Sequence, residues 1–455
     1  MDWNALAQHV KKITSHRPHI DAQELEDILC EASENALSLD KAYRLLCASF
    51  DDQREDVNQR IMEASARARR RVFGDRVVVM APIEVSNICA SDCLFCGWRT
   101  SNKDMRRLRQ PLGLVMPQVD YLLDLGIDYI ELVGGDDFRY VKENIPALVP
   151  KIRARMNERN ISGKICVCSM AMTENHYREW KDLGVDAMFV WQETYDPKVY
   201  NQYILSGPKA HGITDTYKLG PAGSGYQFRL DCQERAMRAG LEVAVGCMLG
   251  LSPTPHFEFL MLLEHVNHLL KLECGKHTQI IVGMPTWNKL TTPDTDLRPR
   301  SVGFQLGSFA PVYAALLFLC LPKGRPWVFP TCRVSAQPHI HAVDIAGPFT
   351  CTEINLGPGG YLPRIIKKRQ AVGEPSEDLI LELQQFMRNS DADLDTIAQQ
   401  IDASEQFMHY HHAHAHLVQA MHQRGLRLVD THSLIARSLE YAQGASSYVS
   451  EHTTA

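Results

Sequence analysis

VVVMAPIEVSNICASDCLFCGW, residues 77–98, runs from a β-branched stretch directly into a loop of three cysteines. Cys89, Cys93 and Cys96 are spaced C-x3-C-x2-C, with Phe95 just before the last thiol. Three thiolates on one short loop can hold three irons of a [4Fe–4S] cube, leaving the fourth iron open to a non-protein ligand. Structural zinc sites favour paired C-x2-C knuckles, and no second knuckle occurs among the 13 cysteines. The stretch therefore predicts a strand that ends at an iron–sulfur loop.

Outward from this loop, short apolar runs alternate with helical periodicity. Strands are predicted at 77–85, 129–134, 164–170, 187–195, 242–251, 279–284, 327–333 and 350–356. Helical patterns at 119–125, 145–156, 174–183, 231–239, 257–272 and 309–319 separate most of them. Strands this rich in Val and Ile suit a parallel sheet buried on both faces, and eight such units predict an α/β fold of the (β/α)8 TIM-barrel type. Active sites of such barrels lie at the C-terminal ends of the strands, which is where the cysteine loop falls. The second strand ends in ELVGGDD, residues 131–137, where Gly134 and Gly135 permit close backbone approach and Asp136 can pair with an ammonium group.

Three segments are expected: an N-terminal helical extension over 1–75, the barrel over 76–373, and a C-terminal helical extension over 374–455 whose end, 444–455, reads as disordered. Within the barrel, 206–228 is a Gly- and Pro-rich loop of the length of a functional lid. The chain has 455 residues, 45% of them hydrophobic and 22% charged, with a formal net charge of −6. That balance gives no reason to expect nucleic acid or an anionic membrane as partner, and no apolar run reaches spanning length. No signal-peptide pattern opens the sequence, so a cytoplasmic protein with reduced cysteines is expected.

The cysteine loop resembles the signature of the radical S-adenosylmethionine (SAM) superfamily. Further motifs make the chain similar to one branch, the aromatic amino acid lyases, over roughly residues 35–365. They are APIEVSNIC before the loop, QETY at 192–195, Tyr200, SGPK at 206–209, FRL at 228–230, RAM at 235–237, GCMLGL at 246–251 and PGGY at 358–361. That branch includes 2-iminoacetate synthase, the tyrosine lyase of [FeFe]-hydrogenase maturation and the tryptophan lyase that makes 3-methyl-2-indolic acid. The resemblance implies a [4Fe–4S] cluster on Cys89, Cys93 and Cys96. It also implies SAM held by Phe95, Gly134, Gly135, Asp136, Glu193 and Arg229. A 5′-deoxyadenosyl radical then takes hydrogen from the amino group of an amino acid, with tyrosine the default and p-cresol and dehydroglycine the products. A small-molecule amino acid substrate and a reductant such as flavodoxin or ferredoxin are implied as partners.

Arg333 falls on the arginine that grips the substrate carboxylate in that branch, a task suited to a bidentate fork. Glu84 stands where the branch has a tyrosine near the substrate amine, and a carboxylate there can hold an ammonium directly. Further departures fall at Pro285-Thr286 and at 353–355, and all are expected to cluster around the substrate. They leave two alternatives open: rearrangement or carboxyl-fragment migration on tryptophan or another amino acid, and a non-catalytic iron–sulfur scaffold. No cysteine follows Cys351, which argues against a second C-terminal cluster. MHYHHAHAH at 408–416 would put His409, His412 and His416 on one helical face, a possible second metal site against the plainer reading of a polar helix surface. Cys166 and Cys168 are expected to face opposite sides of their strand or to differ in exposure, and Asp104, Arg106 and Arg107 to form a solvated charge run.

Overall fold

The computed structural model describes the chain except residues 51–53, 289, 291–305, 356, 408, 411 and 453–455, with the side chains of 306–307 and 443–452 also left aside. The expectation for 444–455 therefore falls outside the residues whose side chains are described. Eight parallel strands follow in sequence: β1 Arg76–Ser86, β2 Tyr129–Gly134, β3 Lys164–Cys168, β4 Ala187–Phe189, β5 Glu242–Val245, β6 Ile280–Gly283, β7 Pro326–Phe329 and β8 Phe349–Cys351. Their order is β7-β6-β5-β4-β3-β2-β1-β8, so β1 to β7 lie side by side in sequence and β8 returns to β1, as (β/α)8 winding requires. All eight predicted strands are present. Several end sooner than their apolar patterns, because the chain beyond each strand turns over the mouth of the barrel.

Register fixes which residues face inward. Pro82 pairs with Glu131 and Glu84 with Val133 on β1 and β2, and Glu131 pairs with Cys166 and Val133 with Cys168 on β2 and β3. Residues two apart share a face of a strand. Cys166 and Cys168 therefore both point into the barrel, which corrects the expectation of opposite faces, while they do differ in exposure: Cys166 is buried and Cys168 partly exposed.

The lower barrel is filled with aromatic rings. Phe349 lies 5.0 Å from Tyr129, 5.4 Å from Phe329 and 6.1 Å from Trp327, centroid to centroid, and Phe189 lies 6.3 Å from both Tyr129 and Phe329. Among the described residues no hydrogen-bonded ladder joins β7 to β8. These rings close the seam instead, with Phe349 stacked on Trp327 and edge-to-face with Phe329. The result is a solid floor with open space only above it.

The extensions pack on this frame. Helices Trp3–Ile13, Ala22–Glu34, Leu39–Phe50 and Glu55–Phe73 precede β1. Phe50 lies 5.0 Å from Phe309 of the barrel helix Leu306–Cys320. At the other end of the chain, the two-residue strand Arg427–Leu428 pairs with the start of β1, below the floor. The segment before it crosses above the mouth, so the C-terminal part touches both ends of the barrel.

Candidate active site

The cysteine loop is held by contacts from every side. Arg107 donates to the carbonyl oxygens of Asn87 (2.9 Å), Trp98 (2.7 Å), Arg99 (2.6 Å) and Asn102 (2.9 Å). It is thus the brace of the loop and not part of a solvated charge run. Arg106 likewise is engaged, donating to Gln400 and to the carbonyl of Met387. Two glycines let neighbouring backbone come close. A Cβ on Gly135 would sit 2.4 Å from the Ile88 carbonyl oxygen, and one on Gly207, already at φ +82°, 2.2 Å from that of Ala90.

Cys89, Cys93 and Cys96 line one cavity together with Gly134, Gly135, Asp136, Glu193, Arg229 and Phe95. All nine residues expected around cluster and SAM are therefore brought together. Burial pushes all three thiols up, so a strongly cationic centre is needed to hold them as thiolates. Three soft donors on one braced loop, facing a cavity walled by glycine backbone, fit a [4Fe–4S] cluster with one open iron.

Asp136 is placed by its neighbours: its N–H points to Cys89 Sγ at 3.4 Å, its carbonyl accepts from Ala90 at 2.9 Å, and its carboxylate accepts from the Ser91 hydroxyl. Asp137, next to it, faces away and forms a two-point ion pair with Arg109 at 2.6 and 2.7 Å. Glu193 sits at φ +70°, a left-handed conformation costly for this residue, with its carboxylate 2.7 Å from Lys209 Nζ and 3.5 Å from Arg229. Burial alone would raise Glu193, but the two cations outweigh it and hold the carboxyl below its ordinary range. Lys209 comes from the 206–228 segment, which folds over the mouth through the helices Pro208–His211 and Gly225–Leu230. Its ammonium also lies 5.4 Å from the Phe95 ring.

A second cavity adjoins the first from below, and Val133, Cys168, Trp191, Arg333, Gln406 and Phe407 border both. The deeper cavity holds Glu84 and Glu131 and rests on Met80, Phe329 and Cys351. Glu84 is 3% exposed, and its Oε2 has no hydrogen-bond partner. Burial raises its carboxyl well above the ordinary range, Glu131 and Glu405 push the same way, and Arg333 opposes them. Glu131 is pushed up to about 8, first by burial. The Arg333 guanidinium lies 3.9 Å from the Phe407 ring centroid and donates to the Thr286 carbonyl at 3.1 Å.

Residues 404–407, 409–410 and 412–414 form the roof. Gly97 donates to the Gln406 carbonyl at 2.8 Å, Trp98 Nε1 to that of Ser404 at 3.0 Å, and Gln406 Nε2 to Cys96 Sγ at 3.2 Å. The histidine segment belongs to this roof. His409 pairs with Glu405 at 2.9 Å, His412 is buried against the Val334 carbonyl at 3.0 Å, and the helix begins only at His414. His409, His412 and His416 therefore do not share a helical face, and among the described residues no group of three His, Cys, Asp or Glu is placed to hold a metal ion. Glu353 also lies away from the deeper cavity: it accepts from His414 N at 2.7 Å and pairs with Arg364, which ties the roof to the barrel. Of the departures expected near the substrate, Glu84, Pro285 and Ile354 border the deeper cavity and Thr286 the cofactor cavity, whereas Glu353 borders neither.

Sequence reasoning missed Glu131, Lys209, Gln406 and Phe407. A glutamate inside the buried run YIELVG and the lysine that ends SGPK were readable signals; Gln406 and Phe407 carry none. Among the described residues no helix is long and apolar enough to cross a membrane.

Residues 83–266 match the model of the Radical SAM superfamily. The 2-iminoacetate synthase of Salmonella typhimurium (strain LT2) is 27% identical over 261 residues, 56% of this chain and 62% of that protein. The [FeFe] hydrogenase maturase subunit HydE of Thermotoga maritima is 26% identical over 194 residues, 43% of this chain and 49% of that protein. The chain thus matches about half to three-fifths of the length of these curated relatives. In fold it is similar to the FeFe-hydrogenase maturase HydG from Carboxydothermus hydrogenoformans, with TM-score 0.63 and 21% identity, covering 97% of this chain and 98% of that one. Residues 83–266 thus carry a radical SAM domain, and the chain is similar in sequence to 2-iminoacetate synthase.

Proposed function

We propose that this protein is a radical SAM carbon–carbon lyase that cleaves the Cα–Cβ bond of tyrosine. The observation that carries the reading is Arg333, which stands in the wall common to the cofactor cavity and the deeper cavity. A substrate carboxylate gripped there brings the amino group to the boundary and leaves the side chain to run toward the aromatic floor.

Cys89, Cys93 and Cys96 would hold the cluster, and Phe95, Gly134, Gly135, Asp136, Glu193 and Arg229 would hold SAM. Once reduced, by a donor such as flavodoxin or ferredoxin, this pair supplies a 5′-deoxyadenosyl radical. The chain's own residues position and shield. Arg333 offers a fork to the carboxylate, fixed by its stacking on Phe407 and its bond to Thr286. Glu84, with one buried oxygen unpartnered, takes the substrate ammonium. Phe329 and Met80 accept the ring, and the roof around Ser404, Gln406 and Phe407 keeps water from a reactive intermediate.

Anaerobic turnover of reconstituted, reduced protein with SAM and single amino acids tests this. Tyrosine should yield 5′-deoxyadenosine together with p-cresol. No deoxyadenosine with any amino acid would refute the enzyme reading, and deoxyadenosine with an intact or rearranged carbon skeleton would refute the cleavage.

A further inference from the structure

We infer that Glu131 is the specificity-determining residue of the deeper cavity and that it reads a phenolic hydroxyl at the far end of the substrate's side chain. This rests on the lyase reading above, because that reading sets which end of the substrate lies at Arg333.

Depth follows from the strand register. Val133 borders both cavities, whereas Glu131, two residues earlier on the same inward face, borders only the deeper one. Arg333 lies at the boundary and Glu84, opposite Val133 on β1, one step above Glu131. The polar groups are thus ordered along the cavity: guanidinium and Glu84 at the top, Glu131 below. An amino acid held by its carboxylate and ammonium at the top leaves the Glu131 carboxyl to meet its side chain.

Glu131 is 8% exposed and has no salt-bridge partner among the described residues; the Cys168 thiol is its hydrogen-bonding neighbour. The other residues at this depth, Met80, Met284, Phe329 and Cys351, offer apolar surface. A thiol is a weak donor, so a stronger ligand donor at this buried carboxyl would be favoured. The apolar surroundings keep the carboxyl protonated at neutral pH, in which form it both donates and accepts, as a phenol does. A neutral hydroxyl on a flat ring, which donates and accepts at once, matches that form.

The test is anaerobic calorimetric binding to the reconstituted, SAM-bound, unreduced protein, with tyrosine, phenylalanine and lysine as probes. The intact protein should bind tyrosine at least about a hundred-fold more tightly than phenylalanine, since a site built for a hydroxyl rejects the analogue lacking it. In Glu131→Leu the ratio should fall to within about tenfold while SAM affinity and iron content stay unchanged, and Glu131→Gln should keep part of the preference. Equal affinity for tyrosine and phenylalanine in the intact protein, tighter binding of lysine, or an unchanged ratio in Glu131→Leu would overturn the inference and leave the lyase reading standing. If no amino acid binds in the presence of SAM, the lyase reading falls and takes this inference with it.

Discussion

Replacing Arg107 with alanine should cost the protein its cluster without touching a cysteine. The guanidinium bonds four backbone carbonyls that span the loop, Asn87, Trp98, Arg99 and Asn102, at 2.6 to 2.9 Å. A net contribution near 1 kcal/mol for each, modest for a charged donor, gives about 4 kcal/mol holding the loop in its cluster-binding shape. That corresponds to roughly a thousand-fold change in the equilibrium between the organised and the opened loop. Arg107→Ala should therefore retain well under half of the about four irons per chain that a [4Fe–4S] cluster brings. Arg107→Lys, with three donors at one point in place of a planar fork, should recover only part of the loss. The assay is iron and sulfide content after anaerobic reconstitution and desalting, with far-UV circular dichroism to confirm that the barrel is intact. Full iron content in Arg107→Ala would refute the bracing argument.

Three further outcomes are expected. Gln406→Leu removes the donor to Cys96, and because that bond is stronger to the more negative reduced cluster, the midpoint potential should fall by about 40 mV for a bond worth 1 kcal/mol; an unchanged potential in an EPR-monitored titration would contradict the assignment. Arg333→Lys loses both the fork and the stacking on Phe407, so the amino acid Kd should rise about thirtyfold, a loss near 2 kcal/mol, with SAM-cluster signals preserved. His265 and His339 are buried and held down to about 3, chiefly by burial. Their folded pKa lies below the unfolded value, so the stability they contribute is complete above about pH 6.5 and is lost as pH falls toward 3. At pH 5 the loss is about 2 kcal/mol for each, and His339→Gln should lessen the acid-induced decrease by about that amount in chemical denaturation of the apo-protein between pH 7 and 5.

Much of this molecule is set by local pattern. Three cysteines within eight residues, placed straight after a Val-rich strand, determine both an iron–sulfur loop and its position at a barrel mouth, since the spacing of the thiols and the period of the strands are properties of neighbouring residues. The eight strands, the Gly134–Gly135–Asp136 strand end and Arg333 after the seventh were legible for the same reason. What only the tertiary structure decided comes from residues distant in the chain. Gln406 reaches Cys96 across 310 positions, and Phe407 stacks on Arg333, because a polar segment folds back over the mouth; no periodicity encodes that path. Arg107 looks like surface charge until the loop curls around it and aims four carbonyls at it. The histidines of 409–416 suggested a metal face by helical spacing, yet the helix starts at His414 and the earlier rings serve the roof. Glu131 shows the division most clearly: its place in an apolar strand was visible, but that it stands below Glu84 and Arg333 in one cavity depends on register between strands, and register is settled only when the sheet closes.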